Sequence, residues 1–240
     1  MQLMCPNLQR RTGTRAVFTA IVLAGCLVPD RPAIAGNTSP PDTELGDWLD
    51  ADPQPAVPQT GKGELVFLPS PPETGTLHSI NTIAITRASL DDGWVEIGQC
   101  YKGLDAVPAA EVVYQYRKLR HLRIQSKTNI GQAVTRGQTV QLTDVQRDAS
   151  LCIQAEAQIF YPQADGSFLL RNGPFHRRFL DGYFPLHVSL DVEFPSKLLR
   201  YLGTSHESQP GFKVGVKDEH VHLDTWFAGT LHVEVYFSDR

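Results

Sequence analysis

Beyond residue 64 the chain alternates apolar and polar side chains two by two. Val188, Leu190, Val192 and Phe194 alternate with His187, Ser189, Asp191 and Glu193. Leu151, Ile153, Ala155, Ala157 and Ile159 alternate with Cys152, Gln154, Glu156 and Gln158, and Leu231, Val233, Val235 and Phe237 with His232, Glu234 and Tyr236. A period of two is that of a strand with one face buried, whereas a helix repeats every ~3.6 residues. Weaker runs of the same kind cover 64–68, 79–86, 94–101, 111–116, 119–126, 138–143, 167–171, 198–203 and 211–216. Turn signals separate them, among them Asp91-Asp92-Gly93, Arg136-Gly137, Asp165-Gly166, Asn172-Gly173-Pro174, Asp181-Gly182 and Pro210-Gly211. Many short strands with frequent turns predict an all-β, antiparallel β-sandwich over residues 64–240, either one large sandwich or two small ones. Ala109 to Leu122 is the one stretch with a helical alternative, and there Val112, Val113, Tyr114 and Tyr116 favour strand.

The N-terminus has a different pattern. Arg10, Arg11 and Arg15 precede an uncharged apolar run from Ala16 to Val28. A basic segment followed by a short apolar one is the form of a secretory signal, and 13 residues fall short of the ~20 that span a bilayer. Residues 1–35 therefore read as a signal peptide cut after Ala33-Ile34-Ala35. In the alternative, Leu23-Ala24-Gly25-Cys26 is a lipobox and Cys26 carries a lipid. Residues 36–63, rich in Pro, Gly, Asp and Thr, read as a flexible tether, with Leu45-Gly46-Asp47-Trp48-Leu49 as a stretch that could dock. The expected location is the periplasm or, as a lipoprotein, the outer membrane, with membrane attachment only through that lipid.

Charge and cysteine content follow from this division. The whole chain has 22 basic and 26 acidic side chains. Without Arg10, Arg11, Arg15, Arg31 and Asp30 it has 18 against 25, a net charge near −7. Such a surface argues against a nucleic-acid partner, which calls for a basic face. Of the 4 cysteines, Cys100 and Cys152 lie beyond residue 35, and in an oxidising compartment two cysteines pair. Both methionines, Met1 and Met4, fall in the signal, which disfavours a thioether copper site.

Two segments carry candidate chemistry. His220, His222 and Asp224 share one strand face, and His232 and Glu234 share another. A hairpin turning at Phe227-Ala228-Gly229 would set Asp224 opposite His232 and His222 opposite Glu234, with Cβ atoms ~5 Å apart. That patch could hold zinc or copper, or be an ordinary polar face. In the second segment Phe175, His176, Arg177, Arg178, Phe179, Asp181 and Tyr183 interleave aromatic and charged side chains, the composition of binding hot spots. Its alternative is a connection that packs its rings into the core. There is no Gly-x-Ser-x-Gly, phosphate-binding Gly-Lys-Ser/Thr loop, Gly-x-Gly-x-x-Gly or His-Glu-x-x-His. The leading expectation is a non-enzymatic binding or assembly module for an envelope protein, glycan or lipid. A periplasmic metal-binding protein or small metalloenzyme is second, and a purely structural role third.

Overall fold

A computed structural model describes residues 2–4, 63–72, 75–180 and 182–240. Most of the expected signal and tether, including Cys26 and Leu45–Leu49, lies outside the described residues, and so does Asp181.

The alternation becomes strand almost everywhere it occurs. In chain order the strands are β1 (Gln2–Met4), β2 (Val66–Phe67), β3 (His78–Ala84), β4 (Trp94–Leu104), β5 (Val107–Val113), β6 (Leu119–Arg136), β7 (Thr139–Gln158), β8 (Phe160–Pro162), β9 (Ser167–Phe179), β10 (Gly182–Phe184), β11 (Leu186–Glu193), β12 (Leu199–Thr204), β13 (Phe212–Lys217), β14 (His220–Ala228) and β15 (Leu231–Asp239). One short helix, α1 (Arg87–Asp92), lies between β3 and β4. Thr86 and Ser89 cap its start reciprocally, and Gly93, at φ 74°, ends it. None of the Ala109 to Leu122 stretch is helix: it holds the end of β5 and the start of β6, joined by a connection at 114–118 that carries Tyr114 and Tyr116. Among the described residues no helix is long and apolar enough to cross a membrane.

These strands form a β-sandwich of two packed, mainly antiparallel sheets. The larger one runs β6–β7–β4–β3–β11–β14–β13, with β5 beside the first half of β7 and β2 at the end of β14. The smaller one runs β12–β15–β9, with β8 and β10 also on β9. β11 lies parallel to β3, and β1 parallel to β9. The core collects the apolar row of each strand, including Ile97, Leu151, Ile153, Val188, Leu190, Val221, Leu223, Val233, Val235 and Phe237. Cys100 and Cys152 stand directly opposite on β4 and β7 and form the expected disulfide. Both point away from the core, consistent with their place among the polar positions of their strands.

Two local expectations differ from the structure. Asn172-Gly173-Pro174 was expected to separate strands. Instead β9 continues through it with a register shift against β15 and a cis Gly173–Pro174 bond. The C-terminal hairpin does not form either. β14 pairs with β11, β13 and β2, so both of its edges are occupied, and β15 pairs with β9 and β12 in the other sheet. Gly229 makes that crossing practicable. Its φ is 93°, and a Cβ there would lie 1.9 Å from the Glu64 carbonyl oxygen, because the 63–64 segment passes directly against it. The Thr230 N–H donates to the Gly63 carbonyl at 3.1 Å, which fixes the crossing.

Candidate functional site

Because β14 and β15 belong to different sheets, the expected facing pairs of the histidine group are absent. His220 and His222 project from the exposed face of β14, where His222 Nδ1 contacts Asp191 Oδ1 at 2.7 Å. His232 is on β15 in the other sheet, where Arg171 Nε donates to Glu234 Oε1 at 2.8 Å and Tyr236 Oη donates to Glu234 Oε2 at 2.6 Å. Among the described residues no group of three or more His, Cys, Asp or Glu side chains is placed to hold a metal ion. Asp224 takes part in a different cluster.

That cluster lies on the outer face of the larger sheet. Parallel pairing sets His78 of β3 beside His187 of β11, and antiparallel pairing sets Trp226 of β14 on the other side of His187. The three rings stack across three strands. His78 and His187 are 3.8 Å apart at 16°, and His187 and Trp226 are 4.0 Å apart at 9°. Two pairs along, on the same face, Ser189 stands opposite Asp224. Ser189 Oγ lies 2.8 Å from His78 Nε2 and 2.9 Å from Asp224 Oδ2, and His187 Nε2 lies 2.8 Å from the same carboxylate oxygen.

An ionised carboxylate only accepts, so every proton in this chain has a determined direction. His187 Nε2–H and Ser189 Oγ–H both donate to Asp224, which leaves Ser189 Oγ to accept from His78 Nε2–H. Burial would raise the Asp224 pKa, but the hydrogen bonds from His187 and Ser189 outweigh it and hold the carboxyl below its usual range. Burial, together with the neighbouring His187, pushes His78 down to about 4. His78 is therefore a neutral donor toward Ser189. A serine nucleophile needs the opposite polarity, with an imidazole lone pair taking its proton. Ser189 also sits between β3 and β14, where strand pairing occupies the local backbone N–H groups and no pair of them is left to hold an oxyanion. The arrangement suits rigid positioning of the sheet face. Behind it, Asn81 Nδ2 donates to the Ser189 carbonyl at 3.0 Å, and Gln99 Nε2 donates to Asn81 Oδ1. This buried amide pair anchors β3 and β4 to β11.

The His78 shift has a pH consequence. A histidine depressed in the folded state stabilises the fold fully above the unfolded pKa of ~6.5 and progressively less down to its folded value. His78→Gln is expected to lose less stability than the parent between pH 7 and pH 4.5, by about 1 kcal/mol after allowance for solvent screening. Urea denaturation of both proteins at the two pH values checks this; equal losses would remove His78 as the acid-sensitive group.

Beside the cluster, an open cavity of about 490 Å³ lies over the disulfide, lined in part by Thr82, Gly98, Cys100, Cys152, Asp191 and His220. Gly98 deepens it, since a Cβ there would come within 2.5 Å of Thr82 Oγ1.

The aromatic segment divides into a buried root and an exposed tip. Phe175 and His176 are buried, and His176 stands edge-on to Tyr183 with ring centroids 5.7 Å apart. Burial, first of all, pushes His176 down to about 4. Arg177 Nη2 donates to Asp105 Oδ1 at 2.5 Å and Nε to Asp105 Oδ2 at 3.1 Å. Arg178 Nε donates to the Leu180 carbonyl at 3.2 Å, with its guanidinium 5.8 Å from the Tyr183 ring. Both arginines are thus engaged within the protein. At the tip of the β9–β10 hairpin, Phe179 is 47% exposed and Leu180 is 74% exposed. The sequence drew attention to this segment through its composition. It gave no such signal for His78 or Ser189, and it placed Asp224 in a different group; the three come from three separated strands. Comparison with known protein families and with curated proteins finds no match for this chain.

Proposed function

We propose that this protein is a non-enzymatic binding or assembly module of the cell envelope, which engages a partner protein through the tip of the β9–β10 hairpin. The observation that carries this reading is the pair Phe179 and Leu180. Large exposed apolar side chains elsewhere on the described surface, such as Val134, Leu202 and Val216, stand singly, as is normal for a protein surface. Phe179 and Leu180 are consecutive and stand at the end of a two-stranded finger in which Tyr183 pairs with Arg178. Leu180 also holds φ 52°, a left-handed conformation that costs a branched side chain ~1 kcal/mol or more and that Gly or Asn would adopt more easily. A large apolar residue held there at local cost, and left in water, is suited to act as an anchor in a partner's pocket. The proton directions around Ser189 support a non-enzymatic reading over a serine hydrolase.

The test places a photo-crosslinking residue at position 180 in the producing cell, with position 202 as control. One discrete protein adduct is expected at 180, and Phe179→Asp with Leu180→Asp should abolish partner binding by the purified protein with a stability change within ~0.5 kcal/mol. Adducts only to lipid, or equal adducts at both positions, would refute the proposal.

A further inference from the structure

The two sheets are joined edge to edge by a single short strand. β1 lies antiparallel to β5, with Gln2 opposite Val113, Leu3 opposite Val112 and Met4 opposite Glu111. On its other side it lies parallel to β9, with Gln2 opposite His176 and Leu3 opposite Arg177. Among the described residues, β5 and β9 meet in the order of strands only through β1. Two strand spacings separate them, ~10 Å, whereas a backbone hydrogen bond needs ~2.9 Å. Without a strand between them, both edges lose their partners.

The gap is braced independently of β1. Past the end of β5, Tyr116 Oη donates to Asn172 Oδ1 of β9 at 2.5 Å. Before the start of β5, Asp105 accepts from Arg177 of β9 through two guanidinium nitrogens. These braces at the two ends keep the edges apart in a fixed relation, so the strands cannot simply close on each other.

The strand that fills this gap belongs to residues 1–35, the segment whose pattern is that of a removable export signal. We propose that the gap between β5 and β9 is a strand-acceptor slot, filled after removal of that segment by an extended stretch of a partner protein, with Gln2–Met4 as its placeholder. The proposal rests on the protein-binding reading and deepens it, because β9 runs directly from the slot into the exposed hairpin tip. Strand addition to a waiting edge gives affinity through the main chain and selectivity through alternate side chains. Here the incoming strand gains a ladder on both sides. Its side chain opposite Val112, which is fully buried, is apolar. Its neighbour opposite His176 is a hydrogen-bonding side chain, since the buried His176 has both ring nitrogens without a hydrogen-bond partner.

The experiment uses protein purified after export from its producing cell, with its N-terminus determined by mass spectrometry. The probe is a synthetic peptide of residues 1–8 with Cys5→Ser, labelled for fluorescence anisotropy. Expected are loss of residues 1–35 from the protein, saturable binding of the peptide, and slowed amide hydrogen exchange at 111–113 and 176–177. A Leu3→Pro peptide, which lacks one N–H and cannot extend the ladder, should bind at least ~10-fold more weakly. Three results would overturn the proposal: Met1 still present on the exported protein, no peptide binding, or edges already protected before peptide is added. Failure of the peptide with the position-180 adduct intact removes the slot alone; failure of both removes the binding-module reading with it.

Discussion

Replacing Cys100 and Cys152 together by serine is expected to lower the melting temperature by roughly 8–16 °C. The bridge closes a loop across a separation of 52 residues, which the chain-entropy relation converts to about 4 kcal/mol taken from the stability of the folded state. A domain of this size loses ~2–4 °C per kcal/mol. The size of the effect comes from the unfolded chain. In the folded protein β4 and β7 are neighbours along their ladder from Trp94 to Leu104, so the two sulfurs are brought together by strand pairing that exists without them. In the unfolded chain, nothing but the bridge keeps β5, β6 and the first part of β7 within a closed loop. Both cysteines sit on the partly open outer face, so serine leaves no large void. Calorimetry of the double variant against the parent, each with and without reductant, checks this. An unchanged melting temperature would mean that the bridge does not form.

Phe237→Ala is expected to destabilise the protein by about 3–5 kcal/mol, the range for truncating a fully buried phenylalanine. Phe237 has no exposed surface, and its ring meets those of Phe194 at 5.1 Å, Phe160 at 6.0 Å and Tyr201 at 6.4 Å. Those partners come from the end of β11, from β8 and from β12, so one side chain ties the smaller sheet to the larger. Alanine leaves three rings facing a void that β-strand backbones on both sides cannot collapse to fill. Phe179→Ala, made in the same way at the hairpin tip, should change stability by no more than ~0.5 kcal/mol. Urea unfolding of both variants makes the comparison; equal losses would refute the contrast between a core ring at Phe237 and an exposed ring at Phe179.

The contrast between those two phenylalanines shows how far the sequence could be read. Phe237 continues the row Leu231, Val233 and Val235, and period two alone assigns it to the core. Phe179 follows Phe175, His176, Arg177 and Arg178, where aromatic and charged residues mix without a clean period. Composition marked that segment, but its split into root and tip depends on Asp105, which reaches it from elsewhere in the chain, and on β10 folding Tyr183 back beside Arg178. In β3 the run Ser79-Ile80-Asn81-Thr82-Ile83 puts Ser79 and Asn81 inward and Ile80 partly outward. The reason lies on neighbouring strands, where Gln99 donates to the Asn81 amide oxygen and the Ser189 carbonyl accepts from the Asn81 amide nitrogen.

The sequence by itself determined most of the strands, the faces of the strongly alternating ones, and which cysteines could pair. All of these follow from local geometry: side chains two apart share a face whatever the strand lies against. Tertiary structure alone decided which strands are neighbours. It separated β14 from β15, and with them His222 from His232, because β11, β13 and β2 already occupy both edges of β14. It brought His78, Ser189 and Asp224 together from three strands, and it left between β5 and β9 a gap one strand wide. Strand pairing is a long-range choice set by how apolar faces are buried and edges are satisfied across the whole molecule, and no short stretch of sequence contains it.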